Sequence, residues 1–198
     1  MASNESDIRA LEEALDAIDA DTRRLLEGLT AEQGVWRAEP ASWSIAQCLD
    51  HLATSNCVYL RAMEPAAEDA LRRGRKRRRP AVPGLIGGWF VRIMEPPVKR
   101  RFTMRAPKKI VPRESPALQD AAREFLASQD DVRAFLHAYA DTDLAGVRFV
   151  NPFAPAIRFT LATGLHVLVS HDRRHLWQAW NVRRAGEQAR GQRTETPE

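Results

Sequence analysis

His166-Val167-Leu168-Val169-Ser170-His171-Asp172-Arg173-Arg174-His175-Leu176-Trp177-Gln178 sits inside a longer stretch that keeps one helical period. Leu161, Gly164, Leu168, His171, His175, Gln178 and Val182 recur by threes and fours, which is one stripe of an amphipathic helix. Two imidazoles four residues apart project from adjacent turns of one face, so both can reach one ion. They follow each other along a stripe that otherwise carries mostly apolar residues, and a buried imidazole needs partners for both ring nitrogens. Metal ligation meets that need, and so does hydrogen bonding within the core. The spacing alone is weak evidence. A third histidine, His51, lies in a separate helical segment, and three histidines are the minimum for an open metal site.

Working outward, four long helices are predicted. The first runs from about Ser6 to Glu27, with Ile8, Leu11, Leu15, Ile18, Thr22, Leu25 and Leu29 on its stripe. Ser44 and Gln47 fit a capping box that starts the second, and Pro65 is expected to end it near Met63. Ile45, Cys48, Leu49, Leu52, Tyr59, Leu60 and Met63 form its apolar side, with His51 at the edge. Ser115 and Pro116 read as N-cap and first position of the third, whose stripe is Leu118, Ala122, Phe125, Gln129, Val132, Leu136 and Tyr139. A loop from Asp141 to Pro155 leads to the fourth helix, from about Ala156 to Arg184. With no convincing two-residue alternation anywhere, the pattern predicts an all-α protein. Its architecture is an antiparallel four-helix bundle with a long basic crossover between helices 2 and 3. Residues 1–185 would form the one domain and 186–198 a polar, disordered tail. His51 meets His171 and His175 if the second and fourth helices are neighbours.

At 198 residues and 44% hydrophobic content the chain can bury a sizeable single core. No run of about eighteen apolar residues and no secretory leader pattern is present, so a cytoplasmic location without a membrane span is expected. Cys48 and Cys57, nine residues apart on one helix, face opposite sides and are expected as reduced thiols. The net charge of +4 hides a segregation. Residues 72–113 hold fifteen Lys and Arg against the single acid Glu95, and the rest of the chain is acidic by ten. Such an asymmetry marks a nucleic-acid or acidic-lipid surface, or else a solvated or partly disordered connection. No nucleic-acid-binding motif accompanies it, so the solvated connection is the expectation and nucleic-acid binding through residues 72–113 the alternative. The short apolar patch Gly84 to Phe90 is expected to form a helix through Met94.

Trp43-Ser44-Ile45-Ala46-Gln47-Cys48-Leu49-Asp50-His51-Leu52 combined with Ser170-His171-Asp172-Arg173-Arg174-His175-Leu176-Trp177-Gln178-Ala179 resembles the paired signature of the DinB/YfiT-like superfamily. The resemblance extends over nearly the whole chain, including Glu95-Pro96-Pro97 and Ala106-Pro107-Lys108-Lys109 in the crossover. It implies a helical bundle in which His51, His171 and His175 match the three histidines that bind a divalent metal. Characterised relatives are thiol-dependent S-transferases or metal-dependent hydrolases.

Beside the three histidines, Asp50 and Asp172 are candidates to orient an imidazole, with Arg173 or Arg174 as an equal partner for Asp172. Cys48 reads as a space-filling thiol, and His137 and His166 fall off the inner stripes. Gln178 either bonds within the core or faces a substrate, while Trp177 and Trp180 are expected to pack. The zinc-peptidase reading of His171 to His175 is set aside, because Asp172 is one methylene shorter than the glutamate required and no strand is evident to hold a peptide. A di-iron bundle lacks its second motif and bridging glutamates. The function that the resemblance implies is a metalloenzyme holding Zn, Ni or Fe and transferring a low-molecular-weight thiol to an electrophilic small-molecule substrate. The alternatives are a hydrolase of a small amide or ester, and a non-enzymatic metal-stabilised dimeric binding protein; a homodimer is the expected assembly.

Overall fold

The computed structural model describes residues 2–97 and 106–194. It is mostly helical, with α1 Ala2–Leu26, α2 Ala31–Val35, α3 Ile45–Arg72, α4 Leu85–Met94, α5 Leu118–Tyr139 and α6 Leu161–Thr194. A 3-10 turn spans Lys108–Ile110, and the strands β1 Arg148–Val150 and β2 Arg158–Thr160 pair antiparallel. Both α1 and α3 pack against both α5 and α6, and α4 lies on α6. The helices that carry the histidines are thus neighbours.

The stripes read from the sequence supply much of the core. Leu11, Leu15, Ile18 and Leu25 of α1 are buried, and the hydroxyl of buried Thr22 donates to the Ile18 carbonyl at 2.8 Å. Every position of the predicted α5 stripe is buried, from Leu118 to Tyr139. The first half of α6 is buried on nearly all sides, with Leu161, Leu165, Val167, Leu168 and Val169 all enclosed, as expected of a helix apolar all round. No helix among the described residues is long and apolar enough to cross a membrane.

Several boundaries differ from expectation. The segment expected as a loop holds a β-hairpin, with Phe149 opposite Phe159 and both rings buried between more exposed neighbours. Strands of three residues are too short for alternation to be read. They also delay α6 from Ala156 to Leu161, where the Thr160 hydroxyl accepts from the Thr163 N–H at 3.1 Å. Helix α3 does not stop at Met63 but passes through Pro65 to Arg72. Pro65 and Arg61 are exposed, so the carbonyl that the proline strips of its partner meets water, while Ala67 and Ala70 anchor the extension in the core. The true stop is Gly74, at φ +64, whose N–H closes onto the Leu71 carbonyl at 2.9 Å. Helix α5 begins at Leu118 behind an Ala117 N-cap, two residues after Pro116. Helix α6 continues past Arg184 to Thr194, held where Gly186 packs under the Trp36 ring; residues 195–198 of the expected tail lie outside the described residues.

The basic crossover is not simply a solvated connection. Arg77 pairs with Asp7 of α1 with both side chains largely buried, at 9% and 11% exposure, and the same carboxylate accepts from the Ala81 N–H. The Arg77 N–H also donates to the Asp141 carbonyl at 2.8 Å, and Arg75 meets Asp143 at 3.1 Å. The run thereby docks on the acidic helical surface, consistent with the charge segregation. Replacing Arg77 with Ala strands a partly buried carboxylate and is expected to lower stability by about 2–4 kcal/mol. Exposed Arg78→Ala should stay within about 0.5 kcal/mol of the parent in the same urea titration.

Candidate metal centre

The site is assembled by the first turns of α3. Ser44 accepts from the Gln47 N–H at 3.2 Å and Gln47 Oε1 accepts from the Ser44 N–H at 3.1 Å, the capping box anticipated from the sequence. The Gln47 amide then donates to the carbonyls of Arg113 and Glu114 at 3.2 and 3.1 Å. Nearly one turn on, buried Asp50 accepts from the Arg113 backbone N–H at 2.7 Å and from its Nε at 2.6 Å. With residues 113–114 so held, the Ile110 carbonyl reaches His51 and accepts from Nδ1 at 2.5 Å. That bond leaves Nε2 of His51 as the ring's lone-pair atom.

Helix α6 presents His171 and His175 to this nitrogen. Nε2 of His51 and Nε2 of His171 are 3.2 Å apart, and one ligand atom from each of the three histidines lies within 4.8 Å of the others. Gln178 Oε1 stands 3.0 Å from Nδ1 of His175, one turn further along α6, and can accept its proton. Burial keeps all three imidazoles below the usual histidine value of 6.5. For His171 and His175 the depression is large, and the neighbouring imidazoles and Arg174 add to it. The rings are therefore neutral near pH 7, which is the form that binds a metal.

These residues fit an ion. Nitrogens about 2.1 Å from one ion stand about 3.0–3.4 Å apart between octahedral and tetrahedral angles, and the His51–His171 pair falls in that window. Two facing lone pairs at this distance repel unless a proton or a cation lies between them. Hydrogen bonds on Nδ1 of His51 and His175 free Nε2 on both, the arrangement expected behind ligating histidines.

The other candidates have different tasks. Neither Asp50 nor Asp172 hydrogen-bonds an imidazole; Asp50 acts on His51 through the crossover, by holding Arg113, and through its charge, which favours a proton on the ring against the effect of burial. Asp172 is fully buried against α5, accepts from the Gln129 amide at 2.8 Å, and is pushed up to about 8 by burial. Burial pushes the Cys48 thiol up to about 12, and both cysteines are unpaired thiols. His166 bonds the Ala81 carbonyl at 3.1 Å and exposed His137 meets Glu12 at 2.9 Å, so neither joins the cluster.

A cavity of about 650 Å³ opens over the imidazoles. Its walls are mainly apolar, including Tyr59, Phe90, Met94, Phe153 and Ile157, and Arg174 is the one Lys, Arg, Asp or Glu among the described residues that line it. Trp43 covers the cluster, its ring 4.8 Å from that of His51 and stacked at 5.7 Å on His175. Arg174, considered in the sequence only as a partner for Asp172, lines the cavity beside His175. The Ile110 carbonyl went unread, because a backbone carbonyl leaves no compositional trace.

Two outcomes are expected. As pH falls below about 6.5 the unfolded chain takes up protons that the buried imidazoles refuse, so metal-free protein should lose stability there and regain it above. Urea titrations across that range should show a shallower slope for His171→Phe. Asp50→Ala should weaken metal binding about tenfold or more through the Ile110 carbonyl, as read by competition with a chromogenic chelator.

A family model for the DinB superfamily matches residues 14–179, which include all three histidines. No curated protein and no solved structure matches the chain. The match over most of its length, together with the convergence of the motif histidines, identifies the chain as a member of the DinB superfamily.

Proposed function

We propose that this protein is a metal-dependent enzyme that transfers a small thiol to an electrophilic substrate, on a site built in the core of an antiparallel four-helix bundle formed by α1, α3, α5 and α6. The observation that carries the reading is the neutral three-imidazole cluster at the floor of an apolar cavity. A Zn, Ni or Fe ion bound there would lower the pKa of a thiol and hold it as the thiolate. His51, His171 and His175 supply three ligands and leave the cavity side for the thiol. All three come from one chain, so this reading does not require a second copy.

The walls support transfer over hydrolysis. Sulfur forms its bond to an electrophilic carbon as the leaving group departs with its electron pair, and a good leaving group needs no proton. Amide hydrolysis requires an acid for the departing amine, and no carboxylate lines the cavity among the described residues. Apolar side chains exclude water from the reacting sulfur. Arg174, beside His175 on the cavity wall, is placed to hold an anionic group of the thiol or the acceptor.

Metal-loaded protein should accelerate consumption of glutathione, bacillithiol, mycothiol or coenzyme A by alkyl halide acceptors. Chelation and His51→Ala should abolish the rate, whereas Cys48→Ala and Cys57→Ala should retain it. Arg174→Gln should raise KM about tenfold for an anionic partner with little change in kcat. Silence across the panel with metal bound would overturn the transferase reading, and thiol-independent cleavage of simple esters or amides would replace it with hydrolysis.

A further inference from the structure

Helix α4 carries an apolar face that no described residue covers. Leu85 is 96% exposed, Ile86 76% and Trp89 62%, and Val82 just before the helix is 51% exposed. Leu85, Trp89 and Arg92 follow one another by four and three, so they share one side, and Ile86 lies next to it. The opposite side is fixed. Gly87 lies so close to Thr163 of α6 that an added Cβ would come within 2.5 Å of its hydroxyl oxygen, and Phe90, Ile93 and Met94 line the cavity. The outward direction of Leu85, Ile86 and Trp89 is thus set by packing on the other side.

Cations bracket this face. Arg79 and Arg148 line a shallow depression with Val82 and Gly84 at the start of α4, and Arg92 is exposed near its end. Arg79 approaches its acidic neighbour Asp143 only to 3.7 Å. Lys108 and Lys109 are also exposed, in the 3-10 turn whose neighbours Pro107 and Ile110 line the cavity with α4.

We propose that the outer face of α4 docks on an anionic lipid bilayer surface, with Leu85, Ile86 and Trp89 entering the headgroup boundary and Arg79, Arg92 and Arg148 meeting lipid phosphates. A short helix with Trp and aliphatic side chains outward and arginines at its flanks is the chemistry of interfacial attachment. Charge complementarity selects this occupant. A second copy meeting the same face through a twofold axis would bring the same arginines against one another. A nucleic acid would match the arginines but leave Leu85 and Ile86 against polar backbone. Because the inner side of α4 lines the cavity, the lipid-facing helix would also be a cavity wall. The inference does not depend on the metal or on the thiol chemistry.

The test is flotation of the full chain with vesicles of phosphatidylcholine alone and of equal parts phosphatidylcholine and phosphatidylglycerol. The protein should float with the anionic vesicles and much less with the neutral ones, and added salt should weaken the binding as the Debye length contracts. Leu85→Ser, Ile86→Ser and Trp89→Ser combined should reduce partitioning at least about tenfold. The triple variant should keep its melting transition and metal content, because the three side chains are exposed. Arg79→Gln with Arg92→Gln should lower binding to anionic vesicles alone. Failure of the parent to float at low salt, or equal flotation by the triple variant, would overturn the proposal. So would a dimer in light scattering that the triple variant dissolves, which would assign the face to a second copy.

Discussion

Asp50 grips Arg113 through the backbone N–H and the guanidinium together, and the cavity end of the molecule is built on that grip. The grip fixes the return of the long connection between α3 and α5 together with Gln47, which holds the carbonyls of Arg113 and Glu114. With it, the Ile110 carbonyl lies against His51 and sets which nitrogen of that ring faces α6. Gln47 strengthens the hold while completing the cap of its own helix, so one short stretch of sequence starts a helix, anchors a crossover and aims a ligand. The aspartate beside His51 thus positions that ring through backbone, without a hydrogen bond to it.

The two faces of α6 divide the remaining labour. Its histidine stripe borders the cavity, while Asp172 turns into the polar core beside Gln129 and the leucines around it meet the other long helices. His171 and His175 stand half-buried at the cavity floor beside buried His51, and burial disfavours a proton on the cluster. The result is a set of neutral nitrogens held at ligand spacing. A cation bound between them would offset the repulsion between facing lone pairs.

Much of this was legible in the residues. The α1 and α5 stripes and the Ser44 cap follow from periodicity and motif, because each is a local pattern along one helix, whereas the meeting of His51 with His171 and His175 was legible only through the paired motif and on condition that their helices are neighbours. What escaped reading depends on partners far apart in the chain. Arg77 finds Asp7 seventy positions away, so a run that looks solvated is docked. Pro65 reads as a stop, yet it lies on the exposed side of a helix whose next turn is buried, and tertiary packing prevails over local preference. The hairpin around Phe149 and Phe159 carries too few residues to show its period. The cavity draws its walls from segments between Ala41 and Gln178, and no single stretch announces it.

The central claim is that these three imidazoles hold one ion, and metal content per chain tests it most directly. Protein purified without a histidine tag should contain about one divalent ion per chain by inductively coupled plasma mass spectrometry, and His171→Ala and His175→Ala should each lose it near neutral pH. A metal-free parent that takes up no Zn, Ni or Fe on dialysis would contradict the account. So would folded His171→Ala and His175→Ala proteins that retain the full metal content of the parent.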